Sequence, residues 1–444
     1  MTALINILAF VFVLGVLVIL HELGHFLMAR LLGARVDVFS VGFGKRLWGI
    51  RRGTTDYRLS LVPLGGYVRI PGLGPDESTV VGGDAPPPEL LPRWRRAVIL
   101  VTGPVTNVLF AVVFLAVAFT LGVEVPAYQD DPPLVGWVEP ESPAAEANIL
   151  RGDLILAVDG AEMESWRDLE MSIFTSGGRE VEVSLTRDGQ PLTLRLRPKK
   201  VSRYGVGYSG LHPVVEPLVA GLQVGSPAER AGLQLGDRIE AVNGTEVTSF
   251  FDLYQLISPH PNQPVKLAIR RGEDAFELEV TPDDVGGSGM IGLYLPSELK
   301  KLPPLAAVGA GLRESVRLTE ETFRILGKLI TRKTSLKQIS GPIDIARISG
   351  EAARTGIHRL VWLMGLISLQ LGVFNLLPIP ILDGGHLTII GFETAIRRDL
   401  SLKLKERILE VGFYLLIVLM FVVLFNDIVK LLPERMYKFF TPGE

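Results

Sequence analysis

The chain has 444 residues, 48% of them hydrophobic, and 45 Lys+Arg against 48 Asp+Glu give a net charge of −3. That length allows about three domain-sized units; the near-neutral charge gives no footing for nucleic acid, and so apolar a composition does not fit an ordinary soluble enzyme. Cysteine is absent, which excludes disulfides, thiolate ligands and a cysteine nucleophile and leaves His, carboxylate or amide oxygen to hold any metal.

The first element is an apolar run from Ala3 to Leu20 in which Asn6 is the only polar residue. It predicts a membrane span over Ala3–Leu31. A cleaved signal peptide is disfavoured, because no basic residue precedes the run and no small-residue cleavage site closes it. The run ends in His21-Glu22-x-x-His25. On a helix the two imidazoles, at i and i+4, project from one face within reach of a single metal, with Glu22 beside them to activate water.

The connection that follows contains Gly42-Phe43-Gly44-Lys45 and Pro63-Leu64-Gly65-Gly66-Tyr67-Val68, an alternating, Gly-punctuated pattern that predicts strands. A second span is expected over Ala97–Gly122. Its Gly103-Pro104-Val105-Thr106-Asn107 stretch is read as close packing against the first helix.

Beyond it the chain repeats. Pro133–Gly160 and Pro217–Gly244 align without gaps at an offset of 84 residues, and the match runs on through Trp166/Phe250, Asp168/Asp252 and Leu169/Leu253 into alternating strands from Val181 and Val265. Each copy predicts a short strand, a helix opened by Ser-Pro-Ala, a Gly-Asp turn, a strand, a second helix and a β-pair. Asn148 stands where the second copy has Gly232, a swap suited to a left-handed backbone.

An amphipathic stretch, Leu312–Ile330, has Lys328, Arg332, Lys333 and Lys337 near its end and predicts either a membrane-surface helix or a tether. A third span, Leu360–Leu377, runs into Asn375-Leu-Leu-Pro378-Ile-Pro380-Ile-Leu-Asp383-Gly384-Gly385-His386. A fourth, Ile408–Phe425, is the shortest candidate. Basic residues concentrate between spans one and two and again after span three (Arg397, Arg398, Lys403, Lys405, Arg407), so both connections are expected to be cytoplasmic. Both termini and the repeats then lie on the opposite side. Span three runs inward, which brings Asp383 to the depth of His25. A catalytic zinc site needs a third protein ligand, and Asp383, His386 and Glu393 are all candidates by spacing.

The repeat core, S-P-A-x-x-A-G-L-x-x-G-D-x-I-x-x-V-N-G from Ser226 to Gly244, resembles the PDZ family in its permuted bacterial form. H-E-x-x-H paired with N-x-x-P-x-P-x-L-D-G resembles the site-2 protease family of intramembrane zinc metalloproteases, and the double PDZ insertion is similar to its bacterial RseP subgroup. The resemblance implies a polytopic α-helical membrane protein with four transmembrane helices, a cytoplasmic-side membrane-associated β-hairpin and two extracytoplasmic α+β PDZ domains. Its implied parts are 1–35 (span one), 36–96 (hairpin and loops), 97–122 (span two), 123–205 and 206–298 (the PDZ domains), 299–358 (amphipathic linker), 359–382 (span three), 383–407 (cytoplasmic loop), 408–432 (span four) and 433–444 (extracytoplasmic tail).

It further implies that His21, His25 and Asp383 bind one Zn²⁺, that Glu22 is the base, and that Asn375 with Gly42, Gly44, Gly65, Gly66 and Tyr67 engages substrate. Gln370 has no such role assigned. The implied activity is cleavage of single-pass transmembrane proteins, of the anti-sigma-factor type or remnant signal peptides, in a bacterial inner membrane. The active site would face the cytoplasm, with both termini and the PDZ domains periplasmic. Peptide ligands of the PDZ grooves and the lipid bilayer are the other expected partners, and nucleic acid is not. The alternative is a catalytically inactive membrane scaffold binding C-terminal peptides, against which the intact His21, Glu22, His25 and Asp383 set stands.

Overall fold

The computed structural model describes residues 2–74, 89–201, 204–334 and 336–432; the expected tail over 433–444 and part of the expected loop region lie outside them. The chain forms two compact units. One comprises residues 1–123, 301–327 and 339–444, the other 124–300 and 328–338.

The first unit opens with α1 (Thr2–Leu31), apolar on all sides. Two long strands follow, β1 (Val38–Arg52) and β2 (Thr55–Arg69), joined at a tight Gly53 turn. They bend back on themselves, so Val38–Val41 lies between 66–69, with which it pairs antiparallel, and 56–59, alongside which it runs in the same direction. That register leaves Gly66–Arg69 at one margin of the hairpin. Helix α2 (Arg93–Leu121) carries Pro104 inside it and packs on α1.

The second unit holds the repeat. After β3 (Val123–Pro126), the first copy is β4 (Val135–Val138), α3 (Pro143–Glu146), β5 (Leu154–Val158), β6 (Ala161–Glu162), α4 (Trp166–Phe174), β7 (Val181–Arg187) and β8 (Gln190–Leu196). Strands β9 (Lys199–Val201), β10 (Val206–Tyr208) and β11 (Leu211–Pro213) follow, with β11 pairing back onto β4. The second copy is α5 (Pro227–Arg230), β12 (Arg238–Val242), β13 (Thr245–Glu246), α6 (Phe250–Ile257), β14 (Val265–Arg271) and β15 (Asp274–Val280), then β16 (Asp283–Val285), β17 (Ser288–Met290) and β18 (Ser297–Lys300). The two sheets have matching orders, β6-β5-β7-β8 and β13-β12-β14-β15.

Equivalent residues do equivalent work in the two copies. Ser165 and Ser249 close capping boxes with Asp168 and Asp252, satisfying backbone N–H groups that a helix start leaves orphaned. Buried Asp153 takes both arms of Arg187, and Asp237 takes both arms of Arg271. Asn148 has φ 57° where Gly232 has φ 90°, so the left-handed turn read from the sequence is present in both.

The chain then returns to the first unit through α7 (Pro304–Ile330), α8 (Pro342–Thr355), α9 (Ile357–Asn375), α10 (Asp383–Ala395) and α11 (Leu402–Leu431). Among the described residues four helices, α1, α2, α9 and α11, are long and apolar enough to cross a membrane. The fourth is longer than its apolar stretch implied, because charged turns beginning at Leu402 extend it, and the stretch 383–407 is helical over α10. Gly365 and Gly372 let α9 approach α2 so closely that a β-carbon at either would meet Leu115 or the Pro104 carbonyl. Asn6, the polar residue of the first run, accepts a 2.8 Å bond from Arg354 of α8. Fully buried Glu393 pairs with Lys405 at 2.6 Å and Arg96 at 3.7 Å, joining α10, α11 and α2.

Candidate metal centre

Helix α1 turns His21 and His25 to one buried face, their rings edge-on with centroids 4.8 Å apart. His25 is fixed by α2, since its Nδ1 lies 2.8 Å from the Ile99 carbonyl. A carbonyl can only accept, so Nδ1 carries the proton and Nε2 is left with its lone pair. Close helix contact makes this possible: a β-carbon on Gly24 would stand 2.4 Å from Thr106 Oγ1.

Asp383 arrives from another direction. Helix α9 ends at Asn375, the chain turns through Pro378 and Pro380 with Ile381 at φ 82°, and Asp383 is the first residue of α10. Gly384 and Gly385 let this turn fold tightly, for β-carbons there would meet the carbonyls of Leu377 and Ile379 at 2.2 Å. Asp383 Oδ2 thereby lies 3.1 Å from His21 Nε2 and 3.5 Å from His25 Nε2, and the two Nε2 atoms are 3.2 Å apart. A tetrahedral zinc with ligands at about 2.0–2.1 Å has ligand-to-ligand edges of about 3.3 Å. The three donor atoms, two imidazole nitrogens and a carboxylate oxygen, therefore fit zinc in both kind and spacing.

Glu22 follows His21 and faces the hairpin margin. It takes a hydrogen bond from the Val68 backbone, and a β-carbon on Gly66 would stand 3.4 Å from its Cγ. Gly42 and Gly44 adopt φ 91° and 86° within β1, and Val41 pairs with Gly66 and Ser40 with Tyr67. Gly65 is seated against the Phe43 ring, which stacks on Tyr67 at 7° between planes. Asn375 is half-buried at the end of α9, on the segment that delivers Asp383.

The other two candidate ligands lie elsewhere. Glu393 belongs to the Lys405 and Arg96 cluster, and His386 lines a cavity of about 20 Å³ with Arg96, Leu100 and Lys405. Gln370 donates to Thr322 of α7 at 2.8 Å, a helix-to-helix bond. The Gly103–Asn107 stretch of α2, read from the sequence as close packing against the first helix, also makes a polar contact there: the Asn107 amide is 3.3 Å from His21 Nδ1. Pattern alone could not have found it, since Asn107 belongs to no metal motif.

Residues 9–419 match the model of peptidase family M50. The chain belongs to that family. Among curated proteins it is 36% identical to the regulator of sigma E protease of Salmonella typhi, covering 96% of this chain and 99% of the relative. It is 35% identical to the regulator of sigma-E protease RseP of Escherichia coli K12, over 95% of this chain and 98% of that one. A Vibrio cholerae protein bearing a zinc metalloprotease name is 32% identical over 96% and 99%. Among solved structures the chain is similar to the PDZ domain of an SdrC-like protein of Listeria monocytogenes, at 22% identity and a TM-score of 0.17, covering 20% of this chain and 90% of that one. This M50 peptidase is thus a zinc metalloprotease of the inner membrane, acting within the bilayer on protein or peptide substrates.

Proposed function

We propose that this protease binds one zinc through His21, His25 and Asp383, uses Glu22 as general base and acid, and cleaves single-pass transmembrane proteins. The observation that carries the reading is the triangle of donor atoms with edges of 3.1–3.5 Å and Glu22 on the adjoining residue. Zinc, when bound, supplies Lewis-acid polarisation of the scissile carbonyl and acidifies water. Glu22 takes the proton from the attacking water and returns it to the leaving amine. Asn375 holds substrate near Asp383.

A helical substrate hides its carbonyls in i to i+4 bonds and must unwind locally before it is cut. The hairpin offers a place for the unwound strand. Gly66–Arg69 is a marginal segment beside Glu22, and Gly42, Gly44, Gly65, Gly66 and Tyr67 shape it. Phe43, Leu47, Trp48 and Ile50 are exposed, as suits a hairpin set into lipid.

The two repeat copies are read as PDZ domains that screen access. A cavity of about 450 Å³ lies between α4 and β10–β11 in the first, and one of about 280 Å³ beside α6 and β17 in the second. Placing the active site toward the cytoplasm, with termini and PDZ domains in the periplasm, follows from the basic connections. The substrates favoured are anti-sigma-factor-type proteins already trimmed outside, and remnant signal peptides. Relatives named as sigma-E regulators support this. The test is reconstitution with a tagged single-pass substrate: wild type should release a cytoplasmic fragment and Glu22→Gln should not. Cleavage that survives in the variant would refute the mechanism.

A further inference from the structure

Asn107 is wholly buried, its amide nitrogen faces His21 Nδ1 at 3.3 Å, and its Oδ1 has no hydrogen-bond partner among the described residues. A buried amide oxygen left unpaired is costly. In this orientation the amide nitrogen donates to His21 Nδ1, which forces the ring proton onto Nε2, the atom that points at His25 and Asp383. The two ends of an amide are nearly isosteric, and a half-turn exchanges them. Oδ1 then accepts from His21 Nδ1–H and the Nε2 lone pair faces the other two donors; the amide N–H groups take the place Oδ1 has left, so the exchange is favoured by the ligation it permits and not by the hydrogen-bond count. His25 already has this arrangement, with the Ile99 carbonyl as acceptor. Asn107 is itself held in place, for Ser368 of α9 donates to its backbone carbonyl at 2.8 Å.

We propose that Asn107 is a positioning residue of the zinc site, accepting the Nδ1 proton of His21 through Oδ1 and so fixing the tautomer and the ring angle that ligation needs. The inference rests on the zinc-ligand reading of His21, His25 and Asp383. One consequence follows from the chemistry of the acceptor: a carboxylate at this position would serve as well as the amide, while an apolar side chain would not.

The test is zinc affinity, read by chelator competition on the full chain in detergent, for wild type, Asn107→Ala and Asn107→Asp. Asn107→Ala should raise the zinc Kd by about 10–100-fold, and Asn107→Asp should keep it within about threefold of wild type or lower it. Thermal unfolding of the zinc-free proteins runs alongside, since a residue that only packs would move that and leave the zinc Kd alone. Should Asn107→Ala not fold, Asn107→Leu, closer to the native volume, takes its place. An unchanged Kd in the apolar variant, or equal losses in the apolar and Asp variants, overturns the role of Asn107. A wild-type chain that binds no zinc would instead overturn the ligand reading.

Discussion

A β-carbon on Gly103 would stand 2.3 Å from His25 Nε2 and 2.4 Å from its Cε1, so α2 meets the imidazole through a residue that has no side chain. The ring cannot swing clear without losing the 2.8 Å bond to Ile99. Gly103→Ala is therefore expected to lower zinc affinity by about 10-fold or more, in the range seen when groups supporting a metal ligand are disturbed. Cleavage should fall with it. Zinc titration of the purified variant checks this, and wild-type affinity would show that the ring has room that the packing denies.

Variants at Asp383 and His386 test the proposed ligand against its neighbour. Asp383→Ala leaves two imidazoles, fewer than the three protein ligands a catalytic zinc site needs, and should abolish stoichiometric zinc binding. His386→Ala should retain it, because His386 lines the Arg96 and Lys405 cavity and not the donor triangle. Metal content after gel filtration distinguishes the two outcomes.

Of the three donor atoms that meet in the structure, the sequence placed two by pattern, since i, i+4 spacing puts both imidazoles on one face; charge asymmetry brought Asp383 to their depth, and only the family resemblance chose it over His386 and Glu393. The repeat was equally legible, since Ser142/Ser226, Asp153/Asp237 and Ser165/Ser249 recur at one offset and each satisfies backbone groups within its own copy. What stayed hidden depends on helices meeting side by side. Asn107 against His21, Gly103 against His25 and Gln370 against Thr322 are all contacts between α-helices far apart in the chain, and no periodicity specifies the rotation of one helix against another. Helix α10 was hidden for a simpler reason: Asp-Gly-Gly reads as a turn, yet here the glycines are what let a helix start against the preceding carbonyls.

The hairpin can be tested apart from the metal. Gly65 has φ 144° and a β-carbon there would come 2.2 Å from the Phe43 ring. Gly65→Ala should displace Phe43 from its stack on Tyr67 and disturb the segment next to Glu22. The expected result is a several-fold to 10-fold rise in KM, on the order of 1 kcal/mol, with zinc content unchanged. A loss of zinc would mean that the hairpin supports the ligands as well.

Asp427 of α11 holds the start of α8. Its carboxylate accepts from the backbone N–H groups of Gly341, Ile343 and Asp344 at 3.0–3.2 Å, and Lys430 beside it bonds Asp344 at 3.0 Å. Removing the acceptor strips a helix N-terminus of its cap and unbalances a buried charge cluster. Asp427→Ala should destabilise the full chain by on the order of 2–4 kcal/mol, read as a lower midpoint in thermal unfolding. An unchanged midpoint would show that the cap is dispensable.

The repeat unit carries its own pH dependence. His212 on β11 packs between Trp137 of the first copy, 5.1 Å away, and Phe251 of the second, 4.3 Å away. Burial there pushes its pKa down from 6.5 to about 4, against a smaller upward pull from Glu139. In the unfolded chain the imidazole takes up its proton near pH 6.5, while in the fold it stays neutral until about pH 4. Between those values the unfolded state binds the extra proton, so the stability contributed by neutral His212 is complete above pH 6.5 and drains away as pH falls. The loss across that window is on the order of 2–3 kcal/mol. His212→Phe keeps the aromatic stack without the titrating group, and the difference between wild type and variant in urea unfolding should grow as pH drops from 7 to 4.5. A difference that stays flat over that range would mean that the folded His212 titrates as the unfolded one does.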